Sequence, residues 1–379
     1  EAPAPAADAA PAEEAPALKL SFFGDAFFSF QSAAAGTAAP WHRAYDSSSP
    51  ALDNRNGFGL AFVGMDATYS AGDYGATASL RFGPGVPQFY ATDTGALGID
   101  NIVQGYVTWL PTEKLTLDLG QFGTPFGAEV AESWKNLNYT RGGLYYGMQP
   151  FWHTGLRANY QFSDAVGLKV LAVNGVNTTI LDDETPSVGA QLALVPADGL
   201  SIALGGLVNP YTEDKVSTSV FDRFFDVVVT ASFGDATIIF NADYNQNVAP
   251  DGAGDDTSWY GLSLAGGYKL SDKFGVALRG EYLVDADNQL YGWGAGDDGP
   301  DGVAGTPDDV AADPDAADPV SVITGTLTLD YRPAANSNLV LRLDNRVEQS
   351  NRDIYFDREG AATKTWFTST VGMVVNTDG

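Results

Sequence analysis

Apolar and polar side chains alternate one by one along most of the chain from Leu18 onward. In segment 339–348, Leu339, Leu341, Leu343 and Val347 share one parity, while Arg342, Asp344, Arg346 and Glu348 take the other. A period of two marks an extended strand with two unlike faces. Elsewhere Tyr74, Ala76, Ala78, Leu80 and Phe82 oppose Thr77, Ser79 and Arg81. Leu156, Ala158 and Tyr160 oppose Arg157, Asn159 and Gln161, and Arg279 and Glu281 oppose Val276, Leu278 and Tyr282.

The alternation predicts sixteen strands: 18–30, 57–69, 74–83, 99–110, 115–122, 152–162, 165–174, 187–195, 199–209, 222–234, 236–247, 257–270, 273–285, 320–332, 338–349 and 364–376. Their connections follow a rhythm. Short ones such as AGD (71–73), SDA (163–165) and GD (234–235) separate long ones such as 31–56, 123–151 and 286–319. Tight turns at one end and long loops at the other are what a transmembrane barrel shows. A sandwich has no reason to collect its long loops at one end.

A soluble sheet would turn its apolar face to a core, and a barrel in a bilayer turns it to lipid. Aromatic positions separate the two. With the N-terminus at the short-turn end, Trp109, Tyr160, Phe162, Phe233, Tyr268, Phe274 and Tyr331 fall near that end. Phe82, Phe122, Trp152, Phe224, Tyr244, Tyr260, Tyr282 and Phe367 fall near the other. Two aromatic belts around an aliphatic band match the interfacial girdles of membrane barrels. The expected fold is therefore all-β: a 16-stranded antiparallel transmembrane β-barrel over 18–376, with short periplasmic turns and long external loops. A charge on the lipid face at mid-membrane costs about 2–4 kcal/mol, so the ionic parity must face inward. A barrel of this strand number encloses water, whereas one of about eight strands is filled by side chains.

Composition narrows the function. A net charge of −28 and a pI near 4.1 repel phosphate backbones and exclude nucleic acid as a partner. Cysteine is absent, and the two histidines, His42 and His153, lie far apart, which removes thiol chemistry and leaves little for a His-rich metal centre. No GxSxG, HExxH or phosphate-cradling loop is present, so no catalytic residue is expected. The chain starts at Glu1 with no basic and apolar leader, as expected of a mature exported form. Residues 1–17 contain only Ala, Pro, Glu and Asp apart from the strand that follows, and read as a flexible periplasmic arm.

Candidate site residues follow from parity. Arg81, Arg157, Lys169, Arg279, Arg342 and Arg346 place positive charge on lumenal faces, and Glu281, Asp330, Asp344 and Glu348, with Asp118 and Asp243, place negative charge beside them. Opposed charges across a bore orient polar solutes. The two sets nearly balance, and a mild cation preference is expected at the mouths, because most of the acidic excess lies in loops. The connection 123–151 is too long for a simple link, and long loops carry function. It mixes Glu129, Glu132, Lys135 and Arg141 with Trp134, Tyr139, Tyr145 and Tyr146. An inward fold that constricts the lumen is favoured over packing across the mouth, with AEVAESWKNLN (128–138) as a short helix.

The stretch LTLDLGQFGTPFGAE (115–129), then NLNYTRG (136–142) and QPFWHTGLRANYQF (149–162), resembles the OmpL-like β-barrel porin family. The resemblance extends over the barrel from about Leu18 to Val375 and is most specific between Gly120 and Tyr160. It implies a bacterial outer-membrane channel for passive diffusion of small hydrophilic solutes or ions, with no catalytic residues. The expected partners are outer-membrane lipid and small polar solutes, with a homotrimer as a candidate assembly. A competing reading is an outer-membrane barrel that serves as a scaffold or surface-interaction protein; a second is a soluble secreted β-protein.

No cofactor is required. In 286–319, however, Asp297, Asp298, Asp301, Asp308 and Asp309 cluster among Gly and Pro with no nearby cation. Calcium takes 6–8 oxygen ligands from such loops. The spacing is not an EF-hand, so calcium binding and a solvated acidic loop both stay open.

Overall fold

The computed structural model describes residues 16–32, 57–86, 90, 100–179, 186–209, 221–249, 255–290, 318–335, 337–357, 359 and 361–377. The strands are β1 (Ala17–Gln31), β2 (Gly57–Ala71), β3 (Tyr74–Phe82), β4 (Ile102–Thr112), β5 (Leu115–Gly123), β6 (Trp152–Ser163), β7 (Val166–Val173) and β8 (Ser187–Ala197). They continue as β9 (Leu200–Val208), β10 (Arg223–Phe233), β11 (Ala236–Asn247), β12 (Thr257–Lys269), β13 (Phe274–Asp285), β14 (Val320–Tyr331), β15 (Leu339–Ser350) and β16 (Thr365–Asn376). Each pairs antiparallel with its sequence neighbours, and β16 returns to β1, with Val371 opposite Phe28, to close the barrel. Closure leaves no unpaired edge, which backbone polar groups in hydrocarbon require.

The lipid-facing parity is as the alternation predicts. Leu278 and Ile323 are each 60 % exposed, while Arg279 and Thr324 beside them are 3 % exposed. A soluble sheet would hide those apolar groups. The short turns are tight, and glycine makes one of them: Gly199 has φ +74°, and a Cβ there would sit 2.2 Å from the Ser232 carbonyl oxygen of β10.

Three features depart from expectation. Trp109, Tyr160, Phe162, Phe233, Tyr268, Phe274 and Tyr331 are all exposed on the outer wall, but Phe122, Trp152 and Phe224 of the opposite belt are fully buried. Phe122 and Phe224 sit on the lumenal parity, and the Trp152 carbonyl accepts the Asn177 amide (3.2 Å), which ties the 174–179 connection back onto it. Phe28, Phe30, Phe58 and Phe225 are exposed in their place. Second, 128–138 is not a helix; it holds one 3₁₀ turn, Ser133–Lys135, and the α-helix α1 (Gly143–Met148) follows it. Third, β4 starts later and runs further than predicted, to Thr112. The arm 1–15 and the acidic positions Asp297, Asp298, Asp301, Asp308 and Asp309 lie outside the described residues.

Candidate functional site

The connection from β5 to β6 folds into the barrel. Its first turn is tied to β10 and β11: the Gly127 amide donates to Asp226 Oδ2 (3.1 Å) and the Ala128 amide to Asn241 Oδ1 (3.1 Å). Its last turn returns to the same cluster, where Gln149 Nε2 donates to Asn241 Oδ1 (2.7 Å) and Asp243 Oδ2 (3.1 Å). Between these anchors it reaches the opposite wall. Ser133 Oγ and the Tyr139 hydroxyl donate to the two oxygens of Asp25 on β1 (2.7 and 2.8 Å). The Tyr139 ring lies so close to β16 that a Cβ on Gly372 would come within 2.3 Å of it.

Lumenal charges on the wall take up the loop's backbone groups. Arg342 donates to the carbonyls of Ser133, Asn136 (3.2 Å) and Leu137 (2.6 Å). Asp344 accepts from the Tyr139 amide (3.1 Å), the Thr140 amide (3.3 Å) and the Thr140 hydroxyl (2.9 Å). Arg279 donates to the Thr140 carbonyl (2.7 Å), and Arg346 to the Arg141 carbonyl (2.7 Å). This accounts for the missing helix in 128–138, since amides and carbonyls bound sideways to the wall are not free for the i to i−4 ladder. All six residues of α1 are buried, and Trp259 Nε1 and Asn245 Nδ2 bond its last carbonyls, Gly147 (3.0 Å) and Met148 (3.1 Å).

The residues predicted to line a pore separate into two groups. Arg81, Arg279, Glu281, Arg342, Asp344, Arg346 and Glu348 are at most 5 % exposed; all but Glu348 hold or border the loop, and Glu348 pairs with Arg346 and accepts the Tyr355 hydroxyl (2.6 Å). Arg157, Lys169 and Asp330 are only half-buried. Arg157 pairs with Asp118 (2.9 Å) and lies over the Phe122 ring (4.4 Å). Lys169 Nζ donates to Gln191 (2.8 Å), whose own amide reaches the Pro125 carbonyl of the loop.

Of the four constriction candidates, three are fixed. Glu132 pairs with Arg81 (2.8 Å) and accepts the Tyr90 hydroxyl (3.0 Å); Glu129 pairs with Arg279 (2.6 Å); Arg141 is buried, with Nη1 donating to the Tyr139 carbonyl (2.9 Å). Lys135 alone is exposed. The two glutamates differ in acidity. Burial pushes Glu129 up, Arg279 opposing and Glu281 adding to it. Burial also acts on Glu132, but Arg81, Lys135 and the hydrogen bonds outweigh it and hold that carboxyl below the usual range.

Asp25, Asp66, Asp226, Asn241 and Gln149 are functional contacts that the sequence reading did not single out. Asp25 and Asp226 each interrupt an aromatic or aliphatic strand on its inward parity, and that parity was the available signal.

A family model described as "Putative beta-barrel porin-2, OmpL-like" matches residues 23–376. The chain belongs to this porin family. No curated protein matches it. Among solved structures, the trimer form of OmpT from Vibrio cholerae is 12 % identical, covers 96 % of this chain and 100 % of its own, and superposes with a TM-score of 0.58. The anion-selective porin from Comamonas acidovorans gives the same values. OmpF of Salmonella typhi, solved with daunomycin, is 10 % identical over 95 % of this chain and 97 % of its own, with a TM-score of 0.52. At such identities the likeness establishes the fold alone. With the family, it makes this chain a porin of the bacterial outer membrane.

Proposed function

We propose that small hydrophilic solutes or ions diffuse passively through the part of the lumen that the 124–151 loop leaves open. One observation carries this reading: the loop is fastened to the lumenal faces of β13 to β16 and β1, while Arg157, Lys169 and Gln104 on the far wall remain half-exposed. At the short-turn end the lumen widens into a cavity of about 570 Å³ bordered by Asp235, Asp272 and Arg332. Two further spaces of about 230 and 220 Å³ flank the loop. A charged, wet passage past a fixed loop favours polar solutes and rejects greasy ones. Assembly as a homotrimer is part of the proposal, because its fold relative OmpT is known in a trimer form.

Conductance of the detergent-purified barrel in a planar bilayer tests the reading. Stepwise, ohmic channels with graded exclusion of larger sugars support diffusion. A barrel that inserts, shows heat-modifiable mobility and never conducts would leave the scaffold reading in its place.

A further inference from the structure

Every arginine on the lumenal wall that the loop covers is matched. Arg81 sits between Asp66 (2.6 Å) and Glu132 (2.8 Å), Arg279 between Glu129 (2.6 Å) and Glu281 (3.0 Å), and Arg342 against Asp330 (2.8 Å). Arg346 is paired with Glu348. On the open wall Arg157 is paired with Asp118 (2.9 Å). Paired ions in fixed geometry have little charge left for a passing solute.

Lys135 differs from all of them. It is exposed; its amide donates to the Glu132 carbonyl (3.1 Å), but among the described residues its ammonium makes no ion pair and no hydrogen bond. The 3₁₀ turn that carries it is pinned from both sides, by Ser133 on Asp25 and by Arg342 on the Ser133 and Asn136 carbonyls, so the base of the side chain is fixed while its ammonium is free to move. Three lumenal cavities bordered by described residues, of about 570, 230 and 220 Å³, share Lys135 in their lining. The acidic groups nearest in charge terms, Glu132 and Asp66, are both held by Arg81, and Glu129, which borders two of the cavities, is held by Arg279.

From this placement we infer that Lys135 is an anion-binding point of the passage, where the carboxylate or phosphate group of a small solute pairs transiently with the ammonium. A lysine suits this role. It is a compact point charge on a flexible stem, binds without the fork geometry of arginine, and so releases what it captures. The inference rests on the diffusion reading above and names its specificity-determining residue. It also runs against the net charge of −28, which by itself would suggest a preference for cations.

The test compares wild type with Lys135→Glu, Lys135→Arg and, as a turn control, Lys114→Glu, each first shown to fold by heat-modifiable mobility. Zero-current potentials in a potassium chloride gradient give the anion-to-cation permeability ratio. That ratio is expected to fall by about threefold or more in Lys135→Glu and to stay within about twofold of wild type in the other two. Inorganic phosphate at millimolar levels should reduce chloride current in wild type and not in Lys135→Glu. Line broadening of the phosphorus resonance of inorganic phosphate by the folded barrel reads the same site without any current. Loss of that broadening in Lys135→Glu supports the site even if the wild-type barrel never conducts, a result that would remove the diffusion reading alone. A Lys135→Glu barrel with unchanged permeability ratio and unchanged response to phosphate overturns the inference.

Discussion

The two halves of the barrel wall carry similar residues to different ends. From β13 through β16 to β1, inward charges are almost completely buried: Arg279 is 3 % exposed, Arg342 3 %, Asp344 0 % and Arg346 1 %. From β5 to β7 the inward polar groups Arg157, Asn159 and Lys169 are half-exposed. Strand for strand, the sequences alternate alike. What separates the halves is the middle of the loop, 129–141, whose wall bonds go to the first side and to Arg81 on β3, and not to β5–β7. Under the loop, an inward arginine is a structural bracket whose charge is used up by carboxylates and peptide carbonyls. Opposite it, Arg157 is half-exposed, with Asp118 as its partner (2.9 Å) and no loop carbonyl of 128–148 upon it. A charged lumenal residue in a barrel is thus not by itself a selectivity residue.

Removing the loop collapses the distinction and gives the largest expected effect. Replacing 128–148 by a short Gly-Ser bridge should raise single-channel conductance several-fold and lower the temperature of the gel-mobility transition, since Asp25, Arg279, Arg342 and Asp344 lose their partners. Unchanged conductance would place the loop outside the conducting path.

Next in size are arginine truncations on the two halves. Arg279→Ala leaves Glu129 and Glu281 as buried carboxylates and should cost about 3–5 kcal/mol, the usual effect of breaking a buried pair. Arg157→Ala removes a guanidinium that is itself half-exposed and leaves Asp118 its bonds from Thr108 (2.7 Å) and Asn159 (3.4 Å), and should cost clearly less. Equal losses in a denaturant titration of the refolded barrels would erase the contrast. Leu343→Arg, on the outer face of the loaded half, should cost about 2–4 kcal/mol by placing charge in lipid, whereas the inward Arg342 one position away is tolerated.

The smallest effect concerns pH. Glu129 is raised and Glu132 lowered, so acidification protonates Glu129 first, while Glu132 keeps its bond to Arg81. A carboxyl raised in the folded state contributes stability below that raised value, and the contribution fades as pH rises through it. Protonation also leaves Arg279 with one carboxylate instead of two, adding positive charge to the lumen. The anion-to-cation permeability ratio should therefore rise modestly as pH falls toward the ordinary glutamate range, and Glu129→Gln should remove that step.

Strand number, closure order and the sign of each face were legible because they depend on a local rule: parity repeats every two residues regardless of what lies inside. Leu339, Leu341 and Leu343 against Arg342 and Asp344 is enough to orient β15. The inward loop was legible only in outline, from its length and its mixture of charges and aromatics. Its conformation was not. The stretch 128–138 has helix-forming composition, yet Arg342, more than 200 positions away, claims its carbonyls, and Asp344 claims the amides of Tyr139 and Thr140 just beyond it. The upper aromatic belt departs because height along the strand does not fix the face: Phe122 and Phe224 sit on the inward parity, where they support the loop from inside, and Phe126 packs on Phe224 at 5.5 Å.

The sequence alone determined that this chain forms a membrane barrel with an apolar outside and an ionic inside, since the alternation and the price of charge in hydrocarbon leave no other assignment. Which ionic groups meet water and which are spent on holding a loop was decided only by the tertiary structure. That partition depends on contacts between β13 to β16, β1 and the 124–151 loop, and no local pattern encodes pairings across a lumen.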